Sequence, residues 1–101
     1  MISDALNLAA PDTAPDSAKE IFSIAPMLDW TDRHCRMLHR WLCPDAVLYT
    51  EMVVAQSLRH TREPGRLLEH SQEEHPLVLQ LGGHDPDLMA RAVAMAEPYG
   101  F

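Results

Sequence analysis

Three short runs of almost uninterrupted apolar residues constrain the fold of this chain more than any other feature. They cover residues 21–27, 46–54 and 76–83, and the second is rich in β-branched and aromatic side chains. None of them alternates apolar with polar residues, as a half-exposed strand does. Strands covered on both faces have this appearance, which is typical of parallel sheets. The runs therefore predict three buried parallel strands.

The residues after the first run predict a helix. Thr31 can cap it, Asp32 lies in its first turn, and Pro44 stops it. At helical spacing one side of this segment is apolar, and we expect that stripe to face the core. The stripe consists of Cys35, Leu38, Trp41 and Leu42.

A second helix is predicted after the third run. Asp85 can serve as its N-cap, Pro86 as its first residue, and Pro98 ends it. Its predicted apolar face consists of Leu88, Met89, Ala92, Val93 and Ala96. The resulting order, β-α-β-(irregular)-β-α, is the start of a parallel α/β fold.

Two segments have weaker signals. Residues 1–20 are rich in small and acidic residues and contain two prolines, which predicts a disordered leader before structure begins at Ile21. Residues 55–75 are polar. Ala55 to His60 can form a helical turn or two, and Ser71 to Glu74 has a capping-box pattern that Pro76 restricts to a turn. The remainder is predicted to be an irregular loop.

Length and charge limit the possible functions. The chain has 101 residues, whereas an eight-stranded βα barrel needs roughly 250, so a barrel of this type would be incomplete. The net charge of −7 argues against a free-standing nucleic-acid-binding protein. Two cysteines without a CxxC pair favour reduced thiols, and no apolar run approaches the ~20 residues of a membrane span. We therefore expect a cytoplasmic location and no membrane partner.

The exit of the first strand, Pro26-Met27-Leu28, is a candidate ligand contact. Ligands of parallel βα units lie at the carboxyl ends of the strands. A backbone fixed by proline, next to a polarisable thioether, can lie flat against a planar ring. The alternative is a strand that merely ends at proline, with Met27 filling core space.

Gln80 interrupts the third apolar run and is a second candidate. Strand alternation puts it on one face with Val78 and Gly82, while Leu77, Leu79 and Leu81 face the helices. A buried carboxamide needs partners for its donors and its acceptor. Inside a barrel it can pair with the N–H and C=O edge of a flavin pyrimidine. The alternative is a core glutamine satisfied by neighbouring backbone.

Other polar residues carry weaker predictions. Glu51, near the end of the second strand, is expected to form a structural ion pair, and the alternatives are a ligand group or solvent at the barrel mouth. Two groups of arginines can either contact phosphates or be solvated beside local acids. One group lies on a face of the first helix, Arg33, Arg36 and Arg40, and the other lies in the polar loop, Arg59, Arg62 and Arg66. Cys35, His39 and Cys43 share a helix face but indicate no fourth ligand, so no metal site is predicted.

These residues together resemble the amino-terminal part of tRNA-dihydrouridine synthases. The resemblance lies in three collinear blocks, which are Ile24-Ala-Pro-Met-Leu-Asp-Trp-Thr-Asp-Arg-His-Cys-Arg36, Leu48-Tyr-Thr-Glu-Met52, and Glu73-Glu-His-Pro76 with Leu79-Gln-Leu-Gly-Gly83. The first block is most similar to the A subfamily. The resemblance covers residues 21 to 101.

The resemblance implies a TIM (β/α)8 barrel, of which residues 21–101 would be about three βα units, followed by a helical domain. It implies bound FMN, NADPH as reductant, and reduction of uridine to 5,6-dihydrouridine in the D-loop of tRNA. In the family, the positions matching Pro26, Met27, Leu28 and Gln80 contact the flavin.

The general-acid cysteine of the family lies in an Asn-x-x-Cys-Pro segment after the fourth strand, expected beyond Phe101, and neither Cys35 nor Cys43 matches it. No catalytic residue is therefore assigned, and these residues alone are expected to be inactive. Another FMN-dependent βα-barrel oxidoreductase, which the Asp29-Trp-Thr-Asp-Arg block disfavours, and a non-catalytic remnant are the alternatives.

Overall fold

The computed structural model describes residues 20–101. The predicted leader over residues 1–20 lies outside the described residues, except for Glu20, which is exposed. Within the described range, no helix is both long and apolar enough to cross a membrane.

In the described part of the chain, five short strands form two parallel sheets. One sheet has the order β1 (Ser23–Ile24), β2 (Val47–Tyr49), β4 (Leu77–Val78), and the other pairs β3 (Val53–Val54) with β5 (Leu81–Gly82). Ile24, Leu48 and Leu77 are in register across the first sheet. The predicted parallel arrangement is confirmed for these strands.

The second and third apolar runs are each split into two strands, a break that the sequence did not predict. The hydroxyl of Thr50 explains its position. Thr50 Oγ1 accepts a hydrogen bond from the N–H of Gln80 at 3.1 Å and donates to the carbonyl of Glu51 at 2.9 Å. A side chain therefore takes the place of one backbone partner in the ladder between the two sheets.

Helix α1 (Arg33–Leu42) begins one residue later than predicted. Its N-cap is Asp32, whose carboxylate accepts a hydrogen bond from Cys35 N–H at 2.9 Å. Thr31 is not the cap, because its hydroxyl accepts the N–H of Met27 at 2.7 Å and the residue is buried. The helix ends before Pro44, as predicted.

The apolar stripe that was predicted to face the core lies instead on the exposed side of helix α1. Leu38, Trp41 and Leu42 are exposed, and the buried residues of the helix are Arg36 and Arg40. The reason lies in the neighbour of α1, the 3₁₀ turn Gln72–Glu74, which offers a carboxylate and backbone carbonyls rather than apolar side chains.

The polar segment after β3 is more ordered than predicted. Helix α2 (Ala55–His60) confirms the expected helical turns, and the 3₁₀ turn forms the capping-box bond from Ser71 N–H to Glu74 Oε2 at 2.7 Å. Helix α3 (Gly65–Leu68) lies where an irregular loop was predicted. Pro64 suits the start of a helix, and burial of Leu68 holds the turn in place.

Helix α4 (Pro86–Ala96) confirms the predicted start. Asp85 caps it by accepting the N–H groups of Asp87 and Leu88, and a further 3₁₀ turn, Glu97–Tyr99, contains Pro98. Ala92 and Ala96 are buried against α2, whereas Val93, predicted on the same face, is exposed.

Two small apolar clusters form the core. One joins α2, α3 and α4 through Ala55, Leu58, Leu68, Ala92 and Ala96. The other lies beneath the three-stranded sheet and contains Ala46, Leu48 and Leu77. Leu79 and Leu81 pack against the first cluster, as predicted for leucines that face the helices, whereas Leu77 belongs to the second cluster.

Candidate functional site

The carboxyl ends of β1, β2 and β4 meet at one edge of the sheet, here called the carboxyl edge. Because Ile24, Leu48 and Leu77 are in register, the residues three positions further along each chain segment, Met27, Glu51 and Gln80, follow the same edge. The register thus brings the two segments predicted as ligand contacts to neighbouring positions on either side of the β2 exit.

The backbone after β1 forms a tight turn that leaves its side chains free. Met27 N–H donates to Thr31 Oγ1, and the carbonyl of Met27 accepts from the N–H groups of Trp30 and Thr31, both at 3.0 Å. The side chains of Met27 and Leu28 are nevertheless 54% and 71% exposed, and Pro26 is half-buried. Met27 therefore does not fill core space in the described structure.

Glu51 holds this turn from the neighbouring strand. Its carboxylate accepts a hydrogen bond from the N–H of Asp29, which has a φ of 70° in the left-handed region. Aspartate adopts that conformation more readily than most residues, but at a cost that surrounding contacts must offset. The structural ion pair expected for Glu51 does not form with any residue in the described range.

Gln80 lies across β2 from the Met27 turn. Its backbone is held by Thr50 Oγ1 and by Val53, whose N–H donates to the Gln80 carbonyl at 2.9 Å. Its side chain is exposed rather than buried as predicted, because nothing in residues 20–101 covers that face of the sheet. Within those residues the carboxamide donates to and accepts from no other residue.

Two of the three arginines on α1 are committed to the fold. Arg36 Nε forms an ion pair with the fully buried Glu74 carboxylate, and Arg36 Nη1 donates to the carbonyl of Thr31 at 3.2 Å. The guanidinium of Arg40 donates to four backbone carbonyls, those of Cys43, Pro44, Glu74 and Pro76, at 2.8–3.3 Å. These two side chains therefore neither touch an external phosphate nor form a solvated face.

Arg33 remains on the surface, beside a cleft of about 300 Å³ that runs from the carboxyl edge to α3. Arg33 Nη2 donates to Ser71 Oγ at 3.2 Å, and Arg66 pairs with Glu63 at 3.5 Å while both side chains stay largely exposed. Glu51 also lines this cleft, so its charge is mixed.

The start of α1 carries a perturbed carboxyl group. The hydrogen bond from Cys35 N–H, with help from nearby positive charge, holds the pKa of Asp32 below its ordinary value of 3.8. Cys35 Sγ lies 3.8 Å from His39 Nε2, and Cys43 follows the opposite end of the helix. No set of three or more potential metal ligands converges in the described part of the chain.

Sequence reasoning predicted ligand contacts in two segments that lie exposed at the carboxyl edge, but it missed Thr50 and did not predict the bond of Glu51 to the Met27 turn. Thr50 and Glu51 were visible only as a polar pair inside an apolar run. Their partners are 30 and 22 residues away, and no local pattern reports such pairings.

A family model and several curated relatives identify the family of this chain. A family model described as dihydrouridine synthase (Dus) matches residues 23–101. A tRNA-dihydrouridine(20/20a) synthase of Xanthomonas axonopodis pv. citri (strain 306) is 57% identical over 79 residues, which are 78% of this chain and 23% of the relative.

Proteins of the same name from other bacteria are also similar. The Yersinia pestis protein is 46% identical over 93 residues, 92% of this chain and 26% of the relative. The Escherichia coli (strain K12) protein is 51% identical over 80 residues, 79% of this chain and 23% of the relative. The chain thus spans about a quarter of the length of the curated relatives it matches.

Proposed function

This chain belongs to the dihydrouridine synthase family, and we propose that residues 21–101 form the amino-terminal portion of an FMN-dependent tRNA-dihydrouridine synthase. In this proposal they supply the first three βα units of a TIM (β/α)8 barrel. The parallel strands and the connecting helices support the assignment, as does the name shared by relatives that are about half identical to this chain.

The substrate we propose is uridine in the D-loop of tRNA, and NADPH is the reductant. The relatives are named for dihydrouridine formation at positions 20 and 20a of tRNA, which supports the substrate class. The net charge of −7 disfavours tRNA binding by this segment alone, so basic surface from the rest of the protein must hold the tRNA. A tRNA substrate also leads us to propose a cytoplasmic location.

We propose that Pro26, Met27, Leu28 and Gln80 contact the FMN. The single observation that carries this proposal is their arrangement at the carboxyl edge, where exposed apolar side chains on a tied backbone flank an exposed carboxamide. A flavin needs an apolar support for its ring and hydrogen-bonding groups for its pyrimidine edge. These residues offer both, and the carboxamide has donors and an acceptor still available.

When bound, FMN would supply the redox chemistry, the transfer of a hydride between NADPH and C6 of the uracil ring. The residues of this chain would bind and orient it, because the Met27 turn would support the ring and the Gln80 carboxamide would hydrogen-bond to its polar edge. Neither Cys35, turned toward His39, nor Cys43, beyond the far end of α1, is proposed as the general acid that protonates C5.

The proposal is tested with Gln80→Ala in the full-length protein, using Gln72→Ala as the matched control, because Gln72 is exposed in the 3₁₀ turn. Flavin fluorescence titration should show FMN affinity lowered about tenfold by Gln80→Ala, as for loss of a well-formed hydrogen bond. The control should bind FMN as the unaltered protein does.

Dihydrouridine in isolated tRNA is measured in parallel, with residues 1–101 alone as a further arm. The separate segment is expected to bind FMN weakly or not at all and to reduce no tRNA, since its sheet edges and one barrel wall are open. Unchanged FMN affinity in Gln80→Ala would contradict the proposed contact. Dihydrouridine formation by residues 1–101 alone would contradict the proposal that this segment only binds and orients the flavin.

A further inference from the structure

Thr50 and Glu51, the two residues that directly follow β2, lie between the two proposed flavin contacts. We propose that they are positioning residues that set the Met27 turn and Gln80 relative to one another. This inference rests on the proposed function, because it assigns a role to residues next to the FMN contacts rather than to the contacts themselves.

Glu51 acts on the Met27 turn through one backbone group. Its carboxylate accepts the N–H of Asp29, the residue with a positive φ at the corner of the turn. Within the turn, the N–H groups of Trp30 and Thr31 donate to the Met27 carbonyl and the N–H of Met27 donates to Thr31 Oγ1, while Arg36 of α1 donates to the carbonyl of Thr31. Among the described residues, the bond to Glu51 is the hydrogen bond that joins this turn to the segment after β2.

Thr50 acts on Gln80 from the other side of the same strand end. Its side chain is buried, and its hydroxyl accepts the N–H of Gln80 while donating to the Glu51 carbonyl. The Thr50 hydroxyl therefore both donates one hydrogen bond and accepts another. It holds Gln80 at the break between β4 and β5, where the regular ladder of backbone bonds is interrupted.

Thr50 and Glu51, which directly follow the central strand β2, therefore each hold one of the two neighbouring segments. The carboxylate of one reaches the β1 exit, and the hydroxyl of the other reaches the β4 exit. A flavin that touches both segments needs their spacing fixed to a fraction of an ångström, since contacts are lost when a site loosens. The Thr50–Glu51 pair supplies that constraint without touching the ring.

The experiment compares removal of each group with its conservative replacement in the full-length protein, using FMN as the probe. Glu51→Ala removes the acceptor, whereas Glu51→Gln keeps a carbonyl oxygen for the Asp29 N–H. Thr50→Val removes the hydroxyl at equal volume, and Thr50→Ser retains it. Glu73→Ala, an exposed carboxylate on the 3₁₀ turn, is the control.

The measurements are the FMN dissociation constant, the absorption spectrum of bound flavin and the thermal midpoint without flavin. Glu51→Ala and Thr50→Val should each weaken FMN binding about tenfold or more and shift the bound spectrum, as for loss of one buried or charged hydrogen bond. Glu51→Gln and Thr50→Ser should restore most of the affinity and the spectrum. A merely structural role would lower the thermal midpoint without changing the spectrum.

The outcomes separate this inference from the proposed function. FMN binding by the unaltered protein, together with unchanged affinity and spectrum in Glu51→Ala and Thr50→Val, overturns the positioning role and leaves the FMN contacts standing. Failure of the unaltered protein to bind FMN overturns both. If Glu51→Ala does not fold, the Thr50→Val and Thr50→Ser pair decides the question by the same criteria.

Discussion

The two longest helices in residues 20–101 bury different kinds of side chain. Helix α4 turns small apolar residues inward, with Ala92 1% exposed and Ala96 also buried. Helix α1 turns Arg36 and Arg40 inward and leaves Trp41 73% exposed. Both helices begin with an aspartate cap, so the difference lies in what they pack against and not in how they start.

A helix buries the side whose side chains find apolar or hydrogen-bonding partners on the elements that pack against it. The neighbour of α4 is α2, whose Ala55 and Leu58 offer a flat apolar surface. Helix α1 packs against β2 and against the 3₁₀ turn that presents Glu74, whose side chain is 0% exposed. Arginine can bury its stem and place its fork on carboxylate and carbonyl oxygens, so the polar side becomes the inner one.

The strongest test of this contrast is Glu74→Ala. The change leaves the Arg36 guanidinium buried without its counter-charge and removes the acceptor of the Ser71 N–H. Breaking a buried ion pair in this way costs about 3–5 kcal/mol of unfolding free energy. Urea denaturation measures it, with Glu73→Ala as an exposed neighbour whose cost should stay within about 0.5 kcal/mol. Equal costs for the two variants would mean that charge does not hold α1 in place.

A smaller effect is expected at the apolar interface of α4. Ala92→Leu inserts a larger side chain where α4 meets α2, and overpacking of this kind costs about 1–3 kcal/mol. Ala90→Leu places the same group on the exposed side of the helix and should change the unfolding free energy by less than about 0.5 kcal/mol. Similar changes in unfolding free energy for Ala92→Leu and Ala90→Leu would show that α4 is packed too loosely against α2 for its buried face to respond to a larger side chain.

The contrast between the helices also explains which parts of the fold could be predicted. Helix α4 was predictable because its start depends on the adjacent residues Asp85 and Pro86 and its inner face on apolar spacing. The inner face of α1 was not, because Glu74 lies 38 residues beyond Arg36. A pattern rule that counts apolar residues assigns the exposed stripe to the core when the true partner is distant and charged.

The same limit applies at the carboxyl edge. The period of two in the third apolar run placed Gln80 opposite the leucines, and the structure has it so. Alternation does not predict the exposure of Gln80, the break in the strands or the role of Glu51. These depend on the tertiary structure, namely the hydrogen bonds of Thr50 and Asp29 and the faces of the sheet that are left uncovered. Alternation therefore predicts the face of a residue but not what covers it.

The smallest expected effect concerns the cap of α1, and it is seen in pH dependence. The Cys35 N–H bond holds the pKa of Asp32 below 3.8, so the unfolded chain binds this proton more readily than the folded one. The stabilisation is therefore present above the unfolded pKa and is lost as the pH falls through the lower folded pKa. The thermal midpoint should show this loss in acid, and Asp32→Asn should remove that part of it while keeping a capping oxygen.

Asp32→Ser provides the matched comparison, because it also caps without titrating, whereas Asp32→Ala loses the cap at every pH. The Asn and Ser variants should therefore approach the unaltered protein at low pH and fall slightly below it near neutrality, where the ionised carboxylate favours the helix N-terminus. An unaltered acid profile in both would show that the Asp32 carboxylate does not couple the start of α1 to pH.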